Sequence, residues 1–137
     1  MADIAAAIAA KLASVTGVTS LIGRRVYPSY DKQANRTYPL AVYDLHITPV
    51  SAFDGPTTMT SAVLEIAAIA KTYGQAVTVG NAIYAALEYQ AGTWGTVNVQ
   101  GCFLQDDGIK DDKITDPTTE DILYYAKVFR FDLTFDN

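Results

Sequence analysis

Apolar positions change period several times along this 137-residue chain, and each change marks an element. Ile4, Ile8 and Leu12 recur every fourth residue among alanines, which predicts a helix from Asp3 to Ser14 with one apolar stripe. Asp3 suits its start, where a carboxylate meets the positive end of the helix dipole. Gly17 is expected to stop this helix, and Val18 to Ile22 to add a short turn before Gly23. Arg25-Val26-Tyr27 reads as a short strand closed by Pro28, and the polar, aperiodic segment Ser29 to Thr37 as an exposed loop.

Strict alternation then takes over. Leu40 to Val50 sets Tyr43, Leu45 and Ile47 on one face against Val42, Asp44 and His46 on the other, with Pro49 implying an edge or bulge. Asp54-Gly55-Pro56 is turn chemistry, and Thr60 to Ala70 returns with Ala62, Leu64, Ile66, Ala68 and Ala70 on one face, the pattern of a hairpin. Ala76, Gly80, Ile83, Tyr84 and Leu87 restore helical spacing over Gln75 to Tyr89, with Gly92 as the stop. Thr96 to Leu104 is a strand that packs Val97, Val99 and Phe103, with a bulge or close approach at Gly101. Gln105 to Asp121 is an acidic loop that no core can use, and Leu123 to Phe135 is the clearest strand of the chain. Its Phe129, Phe131, Leu133 and Phe135 share one face, with Lys127 interrupting that face near its start.

The sum is an α+β fold: a mostly antiparallel β-sheet with two amphipathic helices packed on one face, in one domain spanning residues 1–137. The second sheet face mixes Val42, Val63 and Tyr124 with Asp44, His46, Glu65 and Arg130, which calls for a covering partner subunit. With half of its residues hydrophobic, the chain can bury a core without staples. Cys102 stands alone, so no intrachain disulfide forms, and a buried thiol is expected. No run of apolar residues is long enough for a membrane span, and the first helix lacks the basic start of a signal peptide, so synthesis in the cytoplasm is the expectation.

Charge narrows the partners. Met1 to Phe53 carries Lys11, Arg24, Arg25, Lys32 and Arg36 against Asp3, Asp31 and Asp44, a balance of +2, which leaves −7 for the rest of a chain of net charge −5. An acidic total argues against tight binding to a nucleic-acid backbone, which gains free energy when cations displace condensed counterions. Catalytic signatures are thin. His46, the single histidine, has no cysteine or helical partner, and no phosphate-cradling glycine pattern occurs. The carboxylates Asp106, Asp107, Asp111 and Asp112 are of the type that calcium or magnesium takes, but they miss the EF-hand spacing, so a solvated or interface loop is the expectation, with no cofactor.

Read in order, the motifs resemble those of the tail-completion (tail-terminator) family of long-tailed bacteriophages. The resemblance runs through Val18-Thr19-Ser20-Leu21-Ile22-Gly23, Arg25-Val26-Tyr27-Pro28, Tyr38-Pro39-Leu40-Ala41-Val42-Tyr43 and Asp54-Gly55-Pro56. It continues through Tyr73-Gly74-Gln75-Ala76, Gly101-Cys102-Phe103-Leu104 and Phe129-Arg130-Phe131-Asp132-Leu133, nearly the whole chain. It implies a non-catalytic virion protein of the head-tail junction, assembled in the host cytoplasm. Such a subunit caps the head-proximal end of the tail tube as a homo-oligomeric ring of six, between the tail tube protein and the head-tail connector protein. Another neck or tail-tube component is the alternative within that class. A small-molecule-binding module or hydrolase using His46 and an aspartate is the alternative outside it.

A ring of six is geometrically apt. A domain of this length approximates a sphere of ~36 Å diameter. Six touching spheres enclose a hole about one sphere wide, which passes a DNA duplex of ~20 Å. The contacts expected to build the ring and reach its neighbours are Arg24, Arg25, Lys32 and Arg36, the aromatics Tyr30, Tyr38 and Phe53, and the acids Asp106, Asp107, Asp111 and Asp112. An acidic lumen would let DNA slide without sticking. Titration with duplex DNA at physiological salt is therefore expected to show no measurable binding, and a submicromolar affinity would contradict this.

Overall fold

The computed structural model describes residues 3–28, 37–52 and 55–136. Helix α1 spans Ile4–Ala13 and α2 Thr16–Ile22, and the two meet at a bend of 89°. Asp3 caps α1 by accepting the Ala6 N–H at 3.0 Å, and Ile4, Ala7, Ile8 and Leu12 form its buried stripe. Gly17 was expected to stop this helix, but the break lies earlier. Val15 is extended, and the Ser14 hydroxyl turns back onto the Lys11 carbonyl, so Gly17 falls in the first turn of a second helix that buries Val18 and Ile22. Helix α3 covers Tyr73–Leu87, opened by Thr72, whose side chain accepts the Gln75 N–H at 3.2 Å. It ends before Gly92, at Glu88 and Tyr89, where Tyr89 turns to φ 59°. Among the described residues there are three helices where two were expected. Among the described residues, no single helix is long and apolar enough to cross a membrane.

The strands are β1 (Val26–Pro28), β2 (Leu40–Ala52), β3 (Gly55–Ala70), β4 (Gly92–Trp94), β5 (Val97–Thr115) and β6 (Ile122–Asp136). They form one sheet in the order β1-β2-β3-β6-β5-β4. All neighbours are antiparallel except β1 and β2, so the sheet is mixed. β2 and β3 are the expected hairpin, and their register shifts between Pro49 and Ser51, where Pro49 has no N–H to give to the ladder.

Cross-strand rows show how the core is laid down. Leu45 stands opposite Leu64, Leu64 opposite Phe131, and Phe131 opposite Leu104. One row away, Tyr43, Ile66 and Phe129 are aligned in the same way. The helices cover this face: Ile8, Leu12, Ile22, Ile83 and Leu87 share one buried cluster with Leu64, Ile66, Phe129, Phe131, Leu133 and Phe135. Each such side chain contributes about 1.5–3 kcal/mol on burial. Gly80 of α3 sits where a β-carbon would lie 2.9 Å from the Lys127 Cγ and 3.0 Å from the Phe129 ring, so the glycine lets the helix approach β6. Lys127 interrupts the apolar face without leaving a charge in the core, because its stem runs beneath Gly80 and its ammonium reaches Asp111.

Two expectations for β5 are corrected. Phe103 was expected to pack inward, yet it is 51% exposed, with Cys102 fully buried in its place. The cause is a register shift between Val99 and Gly101, which inserts one residue and reverses the faces that follow. The acidic segment is also not a loop throughout: β5 continues to Thr115, paired with β6 as far as Ile122. Its polar composition is compatible with a strand because the segment lies at a sheet edge, exposed on both faces, and needs no apolar alternation. Only the turn 116–121 remains outside a strand.

Replacing Phe131 by Ala should cost about 3–5 kcal/mol, as for other large-to-small changes at fully buried aromatics. Phe103→Ala should stay within about 0.5 kcal/mol. Urea denaturation of the two variants against the parent protein checks both values.

Candidate interaction surfaces

The sheet places the basic and acidic candidates at opposite edges. Val26 is paired with Ala41, Ala41 with Ala68, Ala68 with Lys127, and Lys127 with Asp111, so β1 and the acidic part of β5 lie on one row of the sheet. Four strand spacings separate them, roughly 19 Å measured along the sheet. Among the described residues, no strand pairs with the outer side of β1 or of β5 at this level. β4 pairs only with Val97, Asn98 and Val99, leaving Phe103 to Thr115 without a strand on the outer side among the described residues.

At the β1 edge the two arginines differ. Arg24 is exposed, at the rim of a cleft lined by Ala9, Ala10, Ala13, Gly23 and Val26. Arg25 is half-buried and acts as an internal strut: its Nε donates to the Pro39 carbonyl at 2.9 Å and a terminal nitrogen to the Leu21 carbonyl at 3.3 Å. It thereby ties the end of α2 to the start of β2. Tyr38 stacks on Tyr124 with ring centroids 4.2 Å apart. Tyr30, Lys32, Arg36 and Phe53, with most of the Ser29 to Thr37 loop, lie outside the described residues.

At the β5 edge the four acids occupy different settings. Asp106 and Asp107 are exposed in a wide bulge, where Leu104 pairs with Phe131 and the next pairing joins Ile109 to Phe129. Gly108 makes the bulge possible, because a β-carbon there would lie 2.7 Å from the Gln105 carbonyl oxygen and 2.8 Å from that of Arg130. Asp111 is held on two sides, by Lys127 Nζ at 2.9 Å and by the Tyr73 hydroxyl, which donates to it at 3.0 Å. These hydrogen bonds, Lys127 first and Tyr73 second, hold its carboxyl below the ordinary aspartate value. Asp112, one residue on, takes its own neighbour's N–H, that of Lys113, at 2.8 Å.

The mixed second face divides in two. One end is apolar, with Leu40, Ile69, Ala126 and Val128 buried beneath Tyr27, Tyr38, Val42 and Tyr124. The other end is polar: Asp44, Glu65 and Arg130 are aligned across three strands, and Arg130 Nε donates to Glu65 at 3.2 Å. His46 is exposed on this face, opposite Val63. Cys102 is buried on the helix side, its thiol pushed up to about 12 by burial and by the charges of Glu88 and Asp132, so it holds no ready nucleophile.

Sequence reasoning missed one surface. Beyond Tyr125, the partner of Ala70 at the end of β3, the β5–β6 hairpin continues with no flanking third strand among the described residues and carries exposed Ile114, Ile122 and Leu123. The signal lay in the sequence as three large apolar residues around an acidic turn, but Ile114 fell within the expected loop, Ile122 between loop and strand, and Leu123 at the start of the last strand. These edges, the divided second face and the hairpin define a structural subunit that works through contacts with other proteins.

The comparisons with known proteins give that class a family. The family of tail completion protein gp17 matches residues 6–126, and the chain belongs to it. It is a family of phage tail structural proteins, and the protein is accordingly a bacteriophage tail-completion protein, a structural component of the virion. Among solved structures, a chain from the virion of the native gene transfer agent (GTA) particle has a similar fold, with a TM-score of 0.71 and 12% identity, over 95% of this chain and 92% of that one. No curated protein sequence matches.

Asp111 offers a test of the network at the acidic edge. A carboxyl whose folded value lies below its unfolded one adds stability above the unfolded value, and this is lost as pH falls through the folded value. Tyr73→Phe should move the Asp111 titration upward, and Lys127→Met should move it further, as followed by NMR of the side-chain carboxyl carbon. An unchanged midpoint in both variants would show that neither partner acts on it.

Proposed function

We propose that the protein forms a ring of six around the DNA channel, caps the head-proximal end of the tail tube and joins it to the head connector. The observation that carries this reading is the placement of two sheet edges of opposite character on one row: the β1 edge, flanked by Arg24, and the β5 edge, with Asp106, Asp107, Asp111 and Asp112. A closed ring needs a heterologous contact, in which one surface meets a different surface of the neighbour. Edges on opposite sides of one sheet meet that requirement, and complementary charge fixes which edge meets which. In sequence, β1 is followed by Asp31, Lys32 and Arg36, a net charge of +1. Tyr30, Tyr38 and Phe53 are assigned to contacts with the ring neighbour, the tube or the connector.

Arg24 rather than Arg25 is the residue to test, because loss of the Arg25 strut would disturb the subunit itself. Arg24→Glu should raise the concentration needed for ring assembly about tenfold or more, read by native mass spectrometry, with the melting temperature unchanged. Asp106→Lys combined with Asp112→Lys should do the same, with Asp111 left in place because it anchors Lys127 and Tyr73. Assembly at the parental concentration in both variants would remove the edge-to-edge reading. Deleting the gene should leave separated heads and tails, or tails of abnormal length. Normal, joined particles would remove the capping and joining reading.

A further inference from the structure

The hairpin arm from Lys113 to Tyr125 is built as a docking element. Its turn is cross-braced by its own hydrogen bonds: the Asp116 carboxylate accepts the N–H groups of Thr118 at 2.8 Å and Thr119 at 3.2 Å, and the Asp116 N–H donates to the Asp121 carbonyl at 2.8 Å. Glu120 takes φ 61° to close the loop, and its N–H bonds back to the Asp116 carbonyl at 2.9 Å. A tip braced in this way has less conformational entropy to lose when it binds. On it Ile114, Ile122 and Leu123 are 40%, 43% and 44% exposed, in or beside the last residue pairs of the two strands. The same stretch, from Asp111 to Leu123, carries Asp111, Asp112, Asp116, Glu120 and Asp121 against Lys113 alone, a balance of −4. Apolar side chains ringed by one sign of charge fit a partner with a small apolar cleft and a cation at its rim.

The chain itself carries such a cleft. Between α1 and the entry to β1, Ala9, Ala10, Ala13, Gly23 and Val26 line a space of about 200 Å³, with exposed Arg24 beside it. Its walls are small side chains that leave room for a branched one. The arm extends the β5 side of the sheet and the cleft lies beside β1 on the other side, so a heterologous contact between two copies would bring one to the other. We propose that the acidic, isoleucine-tipped arm of one subunit docks in the alanine-lined cleft of a second copy of this chain, with Arg24 meeting the acids of the turn. The inference rests on the ring reading and deepens it by naming the parts that interlock.

The test places one cysteine in each surface, Ala13→Cys and Ile122→Cys, in the full-length chain. Cys102 can stay, since it is fully buried. Oxidation at concentrations that support assembly should give disulfide-linked multimers from the doubly substituted protein. An equimolar mixture of the two single variants should give only linked dimers. Independently, Ile122→Asp with Leu123→Asp should raise the assembly concentration at least tenfold at unchanged melting temperature, and Ile122→Val should leave it as it is. Rings of parental size and stability that neither cross-link nor respond to the aspartates would overturn the arm-to-cleft contact and leave the ring reading standing. A parent protein that stays monomeric at every concentration and at tail ends would overturn both.

Discussion

Phe129, Phe131, Leu133 and Phe135 leave water together only if β6 is flanked by a strand on each side and roofed by helices. The last strand in sequence therefore becomes an inner strand of the sheet, between β3 and β5. Everything else is arranged around that requirement. β3 supplies Leu64 and Ile66 opposite two of these rings, β5 supplies Leu104 and Cys102, and α3 lowers Gly80 onto Phe129 to close the space above. The core thus joins residues from both ends of the chain, since Ile4, Ile8 and Leu12 belong to the same buried cluster. Hydrophobic burial is non-directional. It is the strand register that decides which side chains take part.

Register is controlled on β5. The shift at Gly101 turns Cys102 in and Phe103 out, and the wide bulge at Gly108 carries Asp106 and Asp107 away from the ladder before pairing resumes at Ile109. Bulges at sheet edges end or redirect pairing and make an edge a poor template for indiscriminate strand addition. Here the same irregularities set out charges along the edge, so protection from aggregation and preparation for a chosen partner have a common structural origin.

The protein contains the means of a structural subunit. Its half-buried charges are occupied with architecture: Arg25 binds two backbone carbonyls, Lys127 spans from the core to Asp111, and Glu88 accepts the Leu104 N–H at 2.7 Å. Of the exposed ones, Arg24 stands beside the β1 edge, and Asp106, Asp107, Asp111 and Asp112 stand along the β5 edge with Lys110 and Lys113. A structural component of the virion works through contacts with neighbouring proteins, and asymmetry of charge and shape within a small domain gives such contacts a direction.

By itself, the sequence determined the elements with a buried face. The Ile4, Ile8 and Leu12 stripe, the alternation in β2 and β3, the spacing of Ile83 and Leu87 and the aromatic run of β6 all appear where expected, because burial imposes a period that can be counted along the chain. The bulges at Pro49 and Gly101 were also legible, since proline lacks a donor and glycine lacks a β-carbon. Tertiary structure alone decided what had no buried face to betray it. An acidic edge strand needs only a neighbour's backbone to pair with, so its composition looked like a loop. The parallel pairing of β1 with β2, the partner of Lys127 and the division of Arg24 from Arg25 into surface and strut depend on contacts between distant segments. Charge asymmetry could be summed from the residues, but only the sheet order turned it into two opposite edges at the same level.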